Sequence, residues 1–190
     1  MPSSKIQPAT LDNLILVTGG ARSGKSTLAE FLAGSFNENM DGDGKIAYIA
    51  TMPKLKSDPE LMEKIKRHQE RRPSTWRTIE APLSIHEAIE KLPGEFLVCI
   101  IDCLSAYVSN LIFDLEDDGQ PNADLKKNVT FIVVTNEVGW SVVPENRLAR
   151  QYRDLLGTAN QRMGGEADTV YLCVSGIELK IKDNGRAIFS

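Results

Sequence analysis

Residues 14 to 36 of the chain read LILVTGGARSGKSTLAEFLAGSF. The stretch opens with a short apolar run, passes through a glycine-rich loop, and continues into a segment whose apolar residues recur at helical spacing. The loop has the spacing G-x-x-x-x-G-K-S, and glycines let a backbone wrap closely around phosphate groups. The N–H groups at the start of the following helix attract the same phosphates. The stretch therefore predicts a nucleotide-binding loop between a buried strand and a helix.

Two positions of this loop carry side-chain chemistry. We expect the Lys25 ammonium to reach the β- and γ-phosphates of a nucleoside triphosphate, and the Ser26 hydroxyl to bind Mg²⁺. The second metal ligand is predicted at Asp102, which ends the apolar run that starts at Phe96. A strand-end aspartate also caps helices, so a capping role for Asp102 stays open. The predicted loop consists of Gly19, Gly20, Ala21, Arg22, Ser23, Gly24, Lys25 and Ser26.

The rest of the chain alternates short apolar runs with amphipathic segments. Strands are predicted at Leu14–Thr18, Ile46–Ala50, Phe96–Ile101, Phe131–Thr135 and Val170–Val174, and helices at Ser26–Phe36, Pro59–Arg72, Leu83–Leu92, Leu104–Phe113 and Glu145–Met163. Strands that alternate with helices favour a parallel sheet covered on both faces. We therefore predict an α/β fold of the P-loop NTPase type, with one domain over residues 14–190 after a polar lead-in of residues 1–13.

Length and composition restrict the class of protein. A chain of 190 residues fits one domain, and its 42% hydrophobic and 25% charged residues are typical of a globular protein. The net charge of −4 argues against a nucleic-acid partner, because such proteins usually carry a basic balance. Three cysteines make neither a disulfide framework nor a zinc site. No apolar run is long enough to span a membrane, and we expect a cytoplasmic enzyme.

One segment is basic within this acidic chain. Between Lys54 and Arg77 there are eight Lys or Arg residues and four Asp or Glu residues, which suits polyphosphate binding or a solvated helix face. Leu61, Ile65 and His68 fall on one face of the predicted helix there. His68 is therefore either a buried histidine with a satisfied hydrogen bond or a nucleophile that is largely neutral near pH 7.

Several segments together resemble a known family. They are LVTGGARSGKS (16–26), YIAT (48–51), KIKRHQERRPSTWRTIE (64–80), TNEVG (135–139), VPENRLARQYRDLLGTANQ (143–161) and VSGIELKIK (174–182). The set resembles the bifunctional adenosylcobinamide kinase / adenosylcobinamide-phosphate guanylyltransferase family of cobalamin synthesis. The resemblance extends from about Leu14 to Lys182.

The resemblance implies two reactions and a set of site residues. The family phosphorylates adenosylcobinamide with ATP or GTP, and then transfers GMP from GTP to adenosylcobinamide phosphate through a guanylyl-histidine. The family's nucleophile falls on His68, and its assembly is a homotrimer. Its nucleotide-contacting positions fall on the loop Gly19 to Ser26 and on Ala50, Thr51, Met52, Gln69, Glu70, Arg71, Arg72, Glu80 and Asp102.

The chain differs from the family in two segments, and two other functions remain as alternatives. The segment from Asp114 to Val129 is shorter and more polar than the family's, and Asn37–Gly44 is predicted to be a longer polar loop. A P-loop kinase with a single activity would not need His68. A non-catalytic nucleotide switch is a further alternative, although the chain has no credible switch pattern.

Overall fold

The structure is a computed structural model that describes residues 14–39, 46–53, 59–113 and 129–188. Its strands are β1 (Leu14–Gly19), β2 (Ile46–Ala50), β3 (Arg77–Glu80), β4 (Val98–Asp102), β5 (Thr130–Val134), β6 (Thr169–Val174), β7 (Ile177–Asp183) and β8 (Arg186–Ala187). Its helices are α1 (Lys25–Asn39), α2 (Pro59–Glu70), α3 (Ile85–Glu90), α4 (Leu104–Phe113) and α5 (Arg147–Glu166). The polar lead-in of residues 1–13 lies outside the described residues.

The strands form one sheet in the order β3-β2-β4-β5-β1-β6-β7-β8. The neighbours from β3 through to β6 are all parallel, and β7 and β8 continue the sheet in antiparallel pairing. The five predicted apolar runs became β1, β2, β4, β5 and β6. The prediction of a mostly parallel α/β sheet is therefore confirmed.

The sheet is covered on both faces because successive side chains of a strand point to opposite sides. On β1, Leu14 and Leu16 belong to the core shared with α3, whereas Ile15 and Val17 belong to the core that α1 closes with Leu28 and its neighbours. All four β1 side chains are buried. This two-sided burial explains why the strands are continuous apolar runs in the sequence.

The sequence analysis missed the last two strands, although the signal was present. Between Ile177 and Lys182, apolar and charged residues alternate, which is the pattern of a strand with one covered face. The turn before β7, Ser175–Gly176, and the turn after it, Asn184–Gly185, each have two residues with positive φ. Such turns match the twist of antiparallel hairpins, and Asn-Gly is their strongest short signal.

Helix ends depart from the predictions by a few residues. The loop predicted at Asn37–Gly44 is wrong at its start, because α1 continues to Asn39 while Phe36 packs against the core. Helix α5 begins after Asn146, whose side-chain oxygen accepts hydrogen bonds from two N–H groups of the first turn. The shortened segment after Phe113 falls on residues 114–128, outside the described part of the chain. Within that part, no helix is both long and apolar enough to cross a membrane.

Close backbone contact at the end of β1 makes Gly19 irreplaceable, and we expect Gly19→Ala to be strongly destabilising. Gly19 has φ +147, and a Cβ there would lie 2.3 Å from the carbonyl oxygen of Cys173 on β6. The substitution should lower the free energy of unfolding in urea by about 3 kcal/mol or more. Gly20→Ala is the matched control, because a Cβ there meets nothing within 4 Å. Equal stability of the two variants would contradict this account of the strand end.

Candidate active site

The phosphate-binding loop joins the carboxyl end of β1 to the first residue of α1. Lys25 is 7% exposed, and its ammonium donates a hydrogen bond to the carbonyl of Gly20. The loop is also tied to the sheet from outside, because the N–H of Gly176 donates to the carbonyl of Ser23 over 3.1 Å. These hydrogen bonds hold the loop in place, and residues 21–26, including the buried cation of Lys25, line one space.

That space is a cavity of about 930 Å³ at the carboxyl end of the parallel strands, where ligands bind in open α/β sheets. Its wall consists of Ala21, Arg22, Ser23, Gly24, Lys25, Ser26, Thr27, Tyr48, Ala50, Met52, Pro53, Ile65, His68, Gln69, Arg71, Arg72, Glu80, Asp102, Cys103, Ser105, Ala106, Ser109, Asn110, Val134, Asn136 and Tyr152. The wall therefore brings together most of the predicted site residues from five separate parts of the chain.

Four predicted site residues lie outside the cavity wall. Gly19 is buried at the strand end, and Gly20 offers its carbonyl to Lys25. Thr51 is fully buried and exchanges hydrogen bonds with the backbone of Cys103, so it joins β2 to β4. Glu70 is exposed and lies 3.8 Å from the ammonium of Lys66 on the surface of α2.

Asp102 is held at the end of β4 by a tyrosine. The Tyr48 hydroxyl donates to Oδ2 of Asp102 over 2.5 Å, and burial raises the pKa of Tyr48, so the phenol remains a donor. The capping alternative is not what the described residues show, because Sγ of Cys103, not Asp102, accepts from the N–H of Ala106 in α4. Asp102 also lines the cavity.

The ring of Tyr48 also contacts the guanidinium group of Arg72. The guanidinium carbon of Arg72 lies 3.4 Å from the centre of the Tyr48 ring, in cation–π geometry. Nε of Arg72 is buried without a hydrogen-bond partner among the described residues. A buried N–H donor without an acceptor costs free energy, so this atom favours an anion that enters the cavity. Sequence reasoning identified Arg72 but missed Tyr48, because an apolar strand gives no sign that its tyrosine hydroxyl faces a site.

Helix α2 carries His68 into the cavity wall. The His68 side chain is half-buried and lies beside Ile65 and Gln69 in that wall. The end of α2 is tied to α1 by the ion pair of Arg71 and Glu30, with 3.1 Å between the charged atoms. His68 therefore lines the cavity and is only half-buried.

Four further residues of the cavity wall are polar but uncharged at neutral pH, and sequence reasoning missed them. Ser105 and Ser109 come from one face of α4, Asn136 follows β5, and Tyr152 reaches in from α5. The side chain of Asn136 donates to Oγ of Ser105 over 2.9 Å. The available signal was the run Thr-Asn-Glu directly after a buried strand, since polar residues at that position face the ligand edge of a parallel sheet.

A family model described as cobinamide kinase / cobinamide phosphate guanyltransferase matches residues 15–181. The chain belongs to this family. The match favours the bifunctional interpretation over a kinase with one activity and over a nucleotide switch. Membership also makes the chain a nucleotide-using enzyme of cobalamin biosynthesis.

This chain aligns with three curated proteins over nearly the whole length of each of them. The bifunctional adenosylcobalamin biosynthesis protein CobU of Escherichia coli is 38% identical over 189 residues, with 89% of this chain and 99% of that protein covered. CobU of Salmonella typhimurium gives the same identity and coverage. The bifunctional protein CobP of Pseudomonas aeruginosa is 33% identical, with 88% of this chain and 96% of that protein covered. Among solved structures, the flagellar accessory protein FlaH of Methanocaldococcus jannaschii matches with a TM-score of 0.46 and 17% identity over 92% of this chain and 81% of that chain.

The donor set fits a magnesium ion that shares its ligands with a nucleotide. No group of three or more His, Cys, Asp or Glu side chains in the described ranges could hold a metal by itself. Ser26 and Asp102 line the same cavity and offer one hydroxyl and one carboxylate. Mg²⁺ is commonly held by one or two protein oxygens together with substrate phosphates and water.

The ion pair at the end of α2 predicts a pH-dependent stability. Burial raises the pKa of Glu30, and Arg71 only partly offsets this. A carboxyl whose pKa is higher in the folded state stabilises the fold at acid pH, and this contribution is lost as the pH rises through that pKa. We expect Glu30→Gln to be more stable than the unmodified chain at pH 7.5 in urea unfolding, with a smaller difference at pH 4. A less stable variant at pH 7.5 would mean that the attraction of Arg71 outweighs the burial of the charge.

Proposed function

We propose that the chain performs both reactions of its family in the one cavity described above. The chain phosphorylates cobinamide and then transfers GMP to cobinamide phosphate. The observation that supports a single site is the shared wall: the phosphate-binding loop and His68 line the same cavity. The nucleotides are ATP or GTP for the first reaction and GTP for the second, and we take the corrinoid to be the adenosyl form.

In the kinase reaction, the loop holds the triphosphate. Backbone N–H groups of residues 21–26 and the ammonium of Lys25 bind the β- and γ-phosphates, where negative charge accumulates as the phosphoryl group leaves. An oxygen of the acceptor alcohol bonds to the γ-phosphorus while the bond to the β-phosphate oxygen breaks. Because the loop is hydrogen-bonded to the Gly176 turn and begins at Gly19, which pairs with Cys173 of β6, little reorganisation opposes this step.

In the guanylyl transfer, we assign the nucleophile to His68. One imidazole nitrogen attacks the α-phosphorus of GTP, the bond to the bridging oxygen breaks, and pyrophosphate leaves. A phosphate oxygen of cobinamide phosphate then attacks the same phosphorus, and the nitrogen–phosphorus bond breaks. Arg71 and Arg72 lie beside His68 in the cavity wall, so their charge neutralises the α-phosphate during both displacements.

A magnesium ion would be held by Ser26 and Asp102. When bound, it supplies positive charge to the phosphate oxygens that the loop already holds. The chain's own contribution is the orientation of the ligands, since Tyr48 engages one oxygen of Asp102 and leaves the other for the ion. The hydroxyl of Ser26 stands at the first turn of α1, next to the cation of Lys25.

We also propose a homo-oligomer, and a trimer by family resemblance, in the cytoplasm where ATP and GTP are found. Exposed apolar side chains after β5 support an oligomer, since Trp140, Val142 and Val143 are 68%, 90% and 60% exposed. Sedimentation equilibrium on the full chain tests this assembly, and a monomer at micromolar concentration would contradict it.

The histidine separates the two reactions. We expect His68→Ala to reduce GMP capture from GTP by at least about 10³-fold, because the nucleophile is removed. Kinase activity should remain measurable, since phosphoryl transfer to an alcohol does not use the imidazole. The measurements are radiolabelled GMP capture, kinase rate and thermal unfolding on one preparation. The adduct on the unmodified chain should be labile in acid and stable in base, as a phosphoramidate is.

His86→Ala is the matched control for this experiment. His86 is the other histidine of the chain and is exposed on α3, away from the cavity wall. Its removal should leave GMP capture and kinase activity unchanged. Capture that persists in folded His68→Ala, or falls equally in His86→Ala, would move the nucleophile elsewhere.

The aspartate is predicted to act through the metal. We expect Asp102→Asn to keep the fold, because a carboxamide oxygen still accepts from Tyr48, and to lower turnover at limiting Mg²⁺ by about tenfold or more. Excess Mg²⁺ should recover part of the loss. Asp154→Asn is the control, since Asp154 is exposed on α5. Normal turnover of Asp102→Asn at limiting Mg²⁺ would remove Asp102 from the metal site.

A further inference from the structure

The end of β5 lies between Asp102, which ends β4, and the phosphate-binding loop, which follows β1. Val134 is in register with Asp102 of β4 on one side and with Val17 of β1 on the other. The chain stays attached to β1 beyond the strand, because the N–H of Glu137 donates to the carbonyl of Gly19 over 3.0 Å. Neighbouring strands are about 4.8 Å apart. Asn136 therefore stands next to the root of the phosphate-binding loop, on the side of the metal ligand Asp102.

A buried polar network surrounds this position and holds its backbone. The Thr18 hydroxyl donates to Oε1 of Glu137 over 2.6 Å, and Asn160 donates to the carbonyl of Asn136 over 3.0 Å. The Thr135 hydroxyl donates to the same Asn160 over 2.7 Å. The hydrogen bonds of Thr135 and Glu137 thus hold the backbone on both sides of Asn136, and of these three residues only Asn136 lines the cavity.

The Asn136 side chain is held in one orientation. Its Nδ2 donates to Oγ of Ser105 over 2.9 Å, and that hydroxyl in turn donates to Sγ of Cys103 over 3.0 Å. Ser105 is 2% exposed, and its carbonyl accepts from Tyr152. Because Nδ2 is engaged, Oδ1 is the free end of the carboxamide, and it has no hydrogen-bond partner in the described part of the chain.

The charged and the uncharged side chains of the cavity wall indicate what each group binds. The cations of Lys25, Arg71 and Arg72 suit phosphates, whereas the side chains of Ser105 and Asn136 carry no formal charge. In an in-line transfer the acceptor approaches the γ-phosphorus opposite the departing nucleotide. A neutral wall with an unoccupied hydrogen-bond acceptor suits an alcohol better than a phosphate.

We propose that Asn136 positions the acceptor alcohol of the kinase reaction by accepting a hydrogen bond from its hydroxyl at Oδ1. This inference rests on the proposed function, because it takes the kinase reaction to occur in this cavity. The acceptor oxygen bonds to the γ-phosphorus, the bond from that phosphorus to the β-phosphate oxygen breaks, and the nucleoside diphosphate leaves. The hydroxyl proton passes to an oxygen of the transferred phosphoryl group, because a carboxamide is too weak a base to keep it.

The experiment compares Asn136→Leu with Asn136→Asp in the full chain. Leucine is similar in size and removes the acceptor, whereas aspartate keeps an oxygen at the same place. For Asn136→Leu we expect kcat/KM for cobinamide to fall about tenfold or more, with the nucleotide KM within about twofold of the unmodified value. Asn136→Asp should recover most of the loss. GMP capture from GTP needs no acceptor, so it should stay within about twofold in both variants.

Ser105→Ala provides a second test that leaves Asn136 in place. It removes the partner of Nδ2, so the carboxamide is free to turn, and the cobinamide KM should rise about threefold at unchanged nucleotide KM. Thermal unfolding establishes that each variant is folded, and if Asn136→Leu does not fold, the Ser105→Ala comparison decides.

The outcomes that overturn the inference are distinct from those that overturn the proposed function. Unchanged cobinamide kinetics in folded Asn136→Leu, or in Ser105→Ala, would remove Asn136 from the acceptor site. A parallel rise in nucleotide KM, or a parallel loss of GMP capture, would assign Asn136 to the nucleotide and overturn the inference as well. An unmodified chain that captures no GMP would instead contradict the His68 assignment, while the kinase comparison would still decide the role of Asn136.

Discussion

Six neighbouring strands run in one direction, and this single constraint determines where chemistry can occur. Parallel strands deliver all their carboxyl ends to the same edge of the sheet. The phosphate loop follows β1, Asp102 ends β4, and Asn136 follows β5, and these three strands are neighbours. Residues that are far apart in sequence therefore share one cavity, and the order of the strands determines which of these residues are neighbours there.

Under the proposed function, the shared cavity accounts for two reactions in one chain. Both reactions would begin with a nucleoside triphosphate on the same loop, and they would differ in the phosphorus that is attacked. His68 lines the cavity from α2 together with Arg71 and Arg72, whereas Ser105 and Asn136 line it from α4 and from the end of β5. In the proposed function, one bound triphosphate therefore meets a nucleophile of the protein and an alcohol from different parts of the same wall.

Much of the fold follows from local patterns in the sequence, whereas the site follows only in part. Continuous apolar runs reveal strands buried on both faces, and so β1 to β6 were recognised with the exception of β3, which has four residues and little apolar character. The spacing of Gly19 to Ser26 predicted the phosphate-binding loop with Lys25, and the apolar run that ends at Asp102 predicted a carboxylate at the same edge of the sheet. The contact of Arg72 with Tyr48, the orientation of Asn136 by Ser105, and the position of His68 in the cavity wall depend on how distant elements pack. No local pattern encodes such contacts.

The two outer strands of the sheet also bear on how copies of the chain behave at high concentration. An unpaired strand offers N–H and C=O groups that recruit further strands, and long apolar edges aggregate. Here one border is β3, which has four residues with Arg77 and Glu80 at its ends. At the other border the two-residue β8 pairs only with Lys182 and Asp183, so the first part of β7 also lies on the edge of the sheet. Glu178 and Lys180 place charges along that part of β7, and charges on both borders oppose the addition of a further strand.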